Sequence, residues 1–245
     1  MKRLLLIVLV FGIWFPALVN ADVPEYKVLK ATEKIVIDGI LDEKDWETAQ
    51  AVGDFVFPWL KEGEKEQTEV KILWDDTFLY VSFKCQDKHV WAEYFDTNSN
   101  TCLDDCVEIF WDPNPEDPRR KYNMFEMNCV GNVLSVYVGS GESIKQRVSR
   151  IMVPHIAQSI QGTLNNDDDI DTGWILEIAI RFSDYPELFK KALPVNGDYW
   201  RVGLNRCGGK TNQQYSQWSP TQSDNPNFHA PEDFGKIIFS DKPVR

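Results

Sequence analysis

Two glutamates stand in alternating, largely apolar stretches of the chain: Glu108 in CVEIFW (106 to 111) and Glu126 in YNMFEMNC (122 to 129). Residues two apart on a strand share a face, so Glu126 and Asn128 are expected on the same side. Carboxylates and amides exchange hydrogen bonds with hydroxyl groups, and two carboxylates about 5 to 9 Å apart can act as the acid and base of glycoside hydrolysis. The pair therefore predicts a site for a hydroxyl-rich ligand, either bound or hydrolysed.

Aromatic side chains near the end of the chain supply a second kind of candidate. Phe228 and His229 lie in NPNFHAPEDFG (225 to 235), where the flanking prolines favour irregular, partly exposed backbone. An aromatic face suits the C–H side of a pyranose ring. Trp218, in SQWSP, is predicted either to join such a site or to pack in the core.

A cation would allow two neighbouring glutamates to remain charged at low cost. Arg206, in GLNRCGG, is the candidate. Its alternation with Val202 and Leu204 would direct it inward, so its place beside Glu108 and Glu126 requires a strand end or a bulge.

The elements that must position these residues are mainly strands. An alternation of period two recurs along the chain, whereas helix signals are limited to 41 to 50, with Asp42 as the expected cap, and 183 to 193. Gly131-Asn132 predicts a hairpin turn. The pattern predicts an all-β, antiparallel β-sandwich of jelly-roll or immunoglobulin-like type with one or two short connecting helices. The predicted strands are VKILW (70 to 74), LYVSFKC (79 to 85), CVEIFW (106 to 111), YNMFEMNC (122 to 129), VLSVYV (133 to 138), WILEIAI (174 to 180), YWRVGL (199 to 204) and KIIF (236 to 239).

The first 21 residues, MKRLLLIVLVFGIWFPALVNA, have the basic start, short apolar stretch and small cleavage residues of a signal peptide. We therefore expect residues 22 to 245 to form one domain that is secreted or periplasmic and not inserted in a membrane. The chain carries 38 acidic against 26 basic residues, a net charge of −12. Nucleic acid and anionic membrane surfaces would repel it, so a neutral or cationic partner is expected.

Five cysteines fit no zinc pattern, and Cys102 and Cys106 can bridge only if the residues between them turn helically. The acidic stretch NNDDDID (165 to 171) is predicted to be a solvated loop, with calcium binding as the alternative. No other cofactor is indicated.

Six stretches along the chain carry a resemblance to a known family: IDGILDEKDW (37 to 46), VKILWDDTFLYVSF (70 to 83), DDCVEIFWD (104 to 112), YNMFEMNCVGN (122 to 132), GWILEIAI (173 to 180), and QWSP with FHAPEDFGKIIF (217 to 220 and 228 to 239). In these motifs and their order, the chain resembles the family 9 carbohydrate-binding modules and their secreted relatives.

The resemblance implies a β-sandwich that binds a glycan end between two aromatic rings without cleaving it. Phe228 matches one of the rings, whereas the position of the other falls near Cys102, where no aromatic stands. Glu108 and Asn128 match polar residues of the family's site, and Glu126 stands where the family has an arginine. The implied partners are a glycan and separate carbohydrate-active enzymes.

Three functions are therefore carried forward. The first is non-catalytic binding of polysaccharide or oligosaccharide, through Glu108, Glu126, Asn128, Arg206, Trp218, Phe228 and His229. The second is a glycoside hydrolase that uses Glu108 and Glu126 as its acid and base. The third is a haem-binding sandwich domain, since Met124, Met127 and His229 supply suitable ligand types.

Overall fold

The computed structural model describes residues 23–117, 122–138, 148–149, 153–185 and 193–245. The predicted signal peptide lies outside these ranges. Within them, none of the helices has the length and apolar character needed to cross a bilayer.

Strands dominate the described residues, as the alternation predicts. All eight predicted strands are present, and four further ones were missed because their sequences do not alternate clearly or are very short. The strands are β1 Glu25–Lys30, β2 Thr68–Trp74, β3 Phe78–Gln86, β4 Cys106–Asp112, β5 Tyr122–Asn128, β6 Val133–Val138, β7 Val148–Ser149, β8 His155–Gln161, β9 Gly173–Arg181, β10 Tyr199–Cys207, β11 Tyr215–Gln217 and β12 Gly235–Pro243.

The strands form one continuous hydrogen-bonded sheet in the order β7-β6-β5-β4-β10-β12-β1-β2-β3-β9-β8, with β11 added to β10. All pairs are antiparallel except β1, which runs parallel to both β12 and β2. The sheet curls so that its two halves face each other across a common core, which confirms the predicted β-sandwich. The two layers are joined through β12 and β1.

The core lies between the two halves of the curled sheet. Four of its tryptophans, Trp74, Trp111, Trp174 and Trp200, are at most 3% exposed. Trp74 and Trp200 both pack against the ring of Phe239, with ring centroids 5.2 and 4.9 Å apart. Each large apolar side chain buried in this way contributes about 1.5–3 kcal/mol to folding.

Helix is scarce, as expected. The predicted helix at 41 to 50 is the five-residue α1, Lys44–Thr48, and its N-cap residue is Glu43, so the prediction of Asp42 as cap is wrong. The second predicted helix starts with a 3₁₀ turn, Phe182–Asp184, and its remaining residues 186 to 192 lie outside the described ranges.

The predicted hairpin after β5 is confirmed, because β5 and β6 are paired neighbours. Gly131 takes a positive φ of 82° in the connecting turn, a conformation that favours glycine. The outward side of β5 in this hairpin carries Glu126 and Asn128, two of the predicted site residues.

An acidic and aromatic outer face as candidate functional site

The two glutamates lie on the outward face of the sheet, directly opposite each other on the neighbouring strands β4 and β5. Asn205 lies opposite Glu108 on β10 and donates a hydrogen bond from Nδ2 to Glu108 Oε2, at 3.3 Å. The Cys207 thiol donates to the other oxygen, Oε1, at 3.4 Å. Glu108 and Glu126 are each 3% exposed, so both side chains are buried on this face of the sheet.

Three cysteines surround this glutamate pair. Cys106 and Cys207 are opposite each other on β4 and β10, and Cys102 lies on the 3₁₀ turn Thr101–Leu103 that precedes β4. We call Cys102, Cys106, Glu108, Glu126 and Cys207 the thiol–glutamate cluster.

The thiols of the cluster remain protonated at neutral pH and can therefore donate hydrogen bonds. Burial, followed by the charge and hydrogen bond of Glu126, raises the pKa of Cys102 to about 12. Burial also raises the pKa values of Cys106 and Cys207 well above that of an ordinary thiol. All five cysteines of the chain are free in the structure. Cys102 and Cys106 therefore form no disulfide, although the backbone at Cys102 turns helically.

Three rings form an aromatic corner beside the cluster: Trp59, Tyr215 and Phe228. The centroid of Phe228 is 5.7 Å from that of Trp59 and 6.3 Å from that of Tyr215. Phe228 itself is only 7% exposed, while Trp59 and Tyr215 are partly exposed. The predicted stacking ring is therefore the buried support of two rings that reach solvent.

Tyr215 connects the aromatic corner to the thiol–glutamate cluster. It is opposite Cys207 on β11. Burial and the neighbouring Cys207, Cys102 and Glu108 raise the pKa of the Tyr215 hydroxyl. The phenol thus remains a hydrogen-bond donor close to the carboxylates.

Sequence reasoning missed Trp59 and Tyr215. Trp59 follows a proline in the irregular segment before β2, and its indole Nε1 donates to Ser223 O at 2.8 Å. A bridge between Val56 and Gln217 brings this segment to β11. The only local signal for Trp59 is a large ring in a polar, proline-containing loop.

His229 lies on the same outer face, beyond Glu108 along β4. Its ring stacks on Phe110 with centroids 5.1 Å apart, and its Nδ1 is 2.7 Å from the Tyr122 hydroxyl. Of the residues named for the haem alternative, Met127 lies in the inner core, on the other side of the sheet from Met124 and His229, so the three do not meet at one site.

The placement of Arg206 corrects the sequence analysis. β10 continues to Cys207 in regular register with β4, so no bulge turns Arg206 outward. Its guanidinium is fully buried on the inner side, where Nη2 is 2.9 Å from Asp87 Oδ2 and Nη1 donates to the carbonyls of Glu66 and Gln86. Arg206 therefore neither accompanies the two glutamates nor reaches a ligand at the surface.

Two other predicted site residues are also enclosed. Trp218 is 4% exposed, belongs to the inner core and donates from Nε1 to Val52 O at 3.0 Å. Asn128 shares the outer face but is fully buried, and its amide nitrogen donates to Tyr94 O and to the Asp104 carboxylate. Its role in the structure is to fix the segment before β4 to the β5–β6 hairpin.

The acidic segment 165 to 171 is tied to its surroundings by its own side chains. Asp171 accepts backbone hydrogen bonds from Val90 and Thr163, and Asn165 pairs with both backbone groups of Ala92. Among the described residues, no group of three His, Cys, Asp or Glu side chains is arranged to hold a metal ion. Calcium binding remains a prediction.

A polar groove of about 310 Å³ lies away from the two glutamates, between the segment around Gly53 and strands β2 and β3. Its lining is Ala51, Gly53, Asp54, Gln67, Thr68, Glu69, Lys84 and Gln86. No aromatic ring lines it. The outer face of β4, β5 and β10 is the better candidate, because carboxylates, thiol donors and partly exposed rings occur there together.

The fold and this face define the class of the protein: a curled β-sandwich that presents acidic and aromatic side chains on one outer surface. The sequence profile of carbohydrate-binding family 9 matches residues 36–239. This match spans most of the chain, and the chain belongs to carbohydrate-binding family 9. A search among curated protein sequences gives no match.

Solved structures agree with the fold. A Bacteroides uniformis protein whose description assigns it to carbohydrate binding is similar with a TM-score of 0.70 and 20% identity, over 89% of this chain and 100% of that one. A family 9 carbohydrate-binding module from Caldicellulosiruptor kristjanssonii in complex with cellotriose gives 0.57 and 16%, over 89% and 95%. The same organism's module in complex with glucose gives 0.55 and 17%, over 89% and 97%.

Proposed function

We propose that the protein binds carbohydrate, without catalysis, on the outer face formed by β4, β5 and β10. The observation that carries this proposal is the position of two opposed glutamates beside an aromatic corner with two partly exposed rings. In a carbohydrate-binding family, such a combination supplies both hydrogen-bond acceptors for hydroxyl groups and apolar faces for pyranose C–H groups.

The polar and aromatic residues of this face make different contacts with the sugar. The partly exposed Tyr215 hydroxyl donates a hydrogen bond to a sugar hydroxyl group, whereas Glu108 and Glu126, each 3% exposed, accept such bonds only after neighbouring side chains move. The indole of Trp59 stacks against the sugar, supported from below by Phe228. One stacked ring and a few hydrogen bonds correspond to roughly 4–6 kcal/mol of binding free energy, or a dissociation constant between about 1 mM and tens of micromolar.

The family, and not the spacing of the two carboxylates, favours binding without hydrolysis. Glu108 and Glu126 are opposite each other on neighbouring strands, with Cβ atoms roughly 4.5–5.5 Å apart, a spacing that fits recognition and hydrolysis equally. Carbohydrate-binding family 9 is a family of binding modules, which supports recognition of hydroxyl groups.

Glucose and cellotriose are the first ligands to test, because family 9 modules of similar fold bind them. We expect titration calorimetry to show saturable binding that Trp59→Ala and Glu108→Gln each weaken. Val195→Ala is a matched control, since Val195 is 59% exposed and precedes the opposite end of β10. Equal affinity in the Trp59 variant, the Glu108 variant and the control would contradict this site.

We also propose that the protein is exported and assists separate carbohydrate-active enzymes in capturing polysaccharide. The basic start and apolar stretch of residues 1 to 21 support export. N-terminal sequencing of the protein from the exported fraction of its host should begin at Asp22. Full-length protein retained in the cytoplasm would contradict this proposal.

A further inference from the structure

Cys106 and Cys207 lie directly opposite each other on the antiparallel strands β4 and β10. Opposite residues of an antiparallel pair project to the same side of the sheet, with α-carbons about 4.5 or 5.5 Å apart. A disulfide joins residues whose α-carbons are about 4.4–6.8 Å apart, so the register already provides the separation that this bond needs. The pairing of β10 with β4 is regular from Arg201 to Cys207, which makes this placement a property of the sheet.

The other two buried cysteines are arranged differently. Cys85 lies opposite Thr68 on β2 and opposite Trp174 on β9. Cys129 directly follows β5 and belongs, like Cys85, to the inner core. The opposed pair instead packs on the outer side of the sheet, in the apolar cluster that contains Phe110.

Cys102 connects the opposed pair to solvent. Its side chain packs against the same outer cluster and is partly exposed, whereas Cys106 and Cys207 are at most 4% exposed. Burial is the main cause of the raised pKa values of Cys106 and Cys207, and the neighbouring Cys102 contributes to both. The three thiols are therefore close enough to interact, and a reagent from solvent meets Cys102 first.

We propose that Cys106 and Cys207 are a modification site, a dithiol that a small-molecule disulfide oxidises to a bond between β4 and β10, with Cys102 as the thiol that reacts first. The oxidising compartment to which the proposed export leads would supply such an oxidant.

The oxidation proceeds by thiol–disulfide exchange. The Cys102 thiolate attacks the oxidant, which forms a mixed disulfide and releases one thiol. The Cys207 thiolate then attacks the Cys102 sulfur and releases the second thiol. The Cys106 thiolate finally attacks the Cys207 sulfur, which forms the bond between the strands and returns Cys102 to a free thiol. In sum, two protein thiols lose two electrons and two protons, and the oxidant gains them as two thiols.

The rate of the first step should depend strongly on pH. The thiolate is the attacking species, and the pKa of Cys102 is raised to about 12. The rate should therefore rise about tenfold for each pH unit between pH 7 and pH 9. The titratable groups that face Cys102 from the neighbouring strands are Glu126, Glu108, Cys106, Cys207 and Tyr215.

Oxidation also changes the candidate binding face. In the reduced form, Cys207 donates to Glu108 Oε1 at 3.4 Å, whereas a disulfide sulfur has no proton to donate. This consequence rests on the proposed carbohydrate binding. The oxidised form should bind cellotriose about two- to fivefold more weakly than the reduced form, because one hydrogen bond is lost.

The test treats the folded mature protein with oxidised glutathione at pH 7, 8 and 9 and locates disulfides by peptide mass spectrometry. We expect a bond between Cys106 and Cys207, and free thiols at Cys85, Cys102 and Cys129. The oxidised form should melt about 5–10 °C higher, because the bond closes a loop of about 100 residues in the unfolded chain. Dithiothreitol should reverse both changes.

Three variants test the route of oxidation. Cys102→Ser should slow bond formation at least tenfold and give the same bond, whereas Cys106→Ser should stop the sequence at a bond between Cys102 and Cys207. Cys85→Ala, which removes an equally buried thiol on the inner side, should change neither rate nor linkage. Five free thiols after treatment, or a wild-type product in which Cys102 stays bonded, would overturn the proposal.

These readouts need no sugar, so they are independent of the proposed function. Absence of cellotriose binding by the reduced protein would contradict the proposed function and leave the disulfide result standing. Equal cellotriose affinities of the two forms, measured by titration calorimetry, would overturn the effect on Glu108.

Discussion

The two sides of β10 near its end carry polar groups in opposite situations. On the inner side, the fully buried Arg206 is bound by Asp87 and by two backbone carbonyls. On the outer side, Asn205 and Cys207 donate to Glu108, next to rings that are partly exposed. The inner groups bind fixed protein partners in the core, whereas the outer groups are buried next to rings that are partly exposed.

The charged groups on the inner side stabilise the fold, whereas the glutamates on the outer side are candidates for ligand recognition. The Asp87 carboxylate binds Arg206 and also accepts from the indole Nε1 of Trp174 at 3.0 Å, so it links two strands and the core. Removal of a member of such a buried pair leaves the other unpaired at high cost. Removal of a partly exposed outer residue such as Trp59 should instead change affinity much more than stability.

The largest expected effect is on the inner side. Arg206→Met should lower the free energy of unfolding by about 3–5 kcal/mol, because it leaves the buried Asp87 carboxylate without its cation. Urea denaturation of wild type and variant gives the difference. Lys236→Met is the control: its pair with Glu25 is partly exposed, and its loss should cost less than about 1 kcal/mol. Similar losses in both variants would break the distinction between the two sides.

The inner side should also respond to pH through Asp105. Burial and the neighbouring Asp87 raise the pKa of Asp105 to about 8, although Arg206 and two backbone N–H groups oppose the rise. The folded protein therefore retains a proton that the unfolded chain releases, so stability should decrease as pH rises from about 4 through 8.

Thermal melting across this pH range tests the Asp105 prediction. We expect Tm to fall by about 5 °C between pH 5 and pH 8 for the wild type, and to vary less in Asp105→Asn. Asp76→Asn, a change at an exposed carboxylate, should keep the wild-type slope. A wild-type Tm that rises over the same range would show that Asp105 is ionised in the folded state.

The alternation of the sequence alone predicts which side of its strand several of these residues occupy. Parity on β5 correctly placed Glu126 and Asn128 on one face, because side chains alternate along a strand. That Glu108 shares this face was an assumption, and it holds because Glu108 is opposite Glu126 in the register of β4 and β5. Parity also directed Arg206 inward, and the assumed bulge that reversed it was wrong. That assumption came from the need for a cation near two glutamates, which is a weaker constraint than the register of a central strand.

The aromatic corner could not be predicted in the same way. Trp59 lies in a segment without regular secondary structure. Its position depends on a bridge between Val56 and Gln217, which are far apart in sequence. Tyr215 belongs to a strand of three residues, too short to show alternation. The sequence did indicate the ring of Phe228, which belongs to the aromatic corner but is buried against the other two rings.

On the outer side, Trp59→Ala should weaken sugar binding about tenfold by removing a stacking ring, with a change in unfolding free energy below about 1 kcal/mol. Phe228→Ala provides the contrast, because Phe228 is 7% exposed and supports both partly exposed rings. It should cost about 2–4 kcal/mol of stability as well as affinity. Calorimetry with cellotriose and urea denaturation measure both quantities. A stability loss in Trp59→Ala as large as that in Phe228→Ala would show that the corner serves the fold rather than a ligand.

The smallest expected effect concerns the thiol that orients Glu108. Cys207→Ala removes the donor 3.4 Å from Glu108 Oε1 and should weaken sugar binding about two- to fivefold, since one hydrogen bond contributes about 0.5–1.5 kcal/mol. Cys207→Ser keeps a donor at the same position and should retain affinity near that of the wild type. The two variants differ little in volume, so equal losses in calorimetry would indicate that packing, not the hydrogen bond, is what Cys207 contributes. A loss confined to alanine would show that the outer side of β10 orients its carboxylate for recognition, as its inner side neutralises Asp87 for stability.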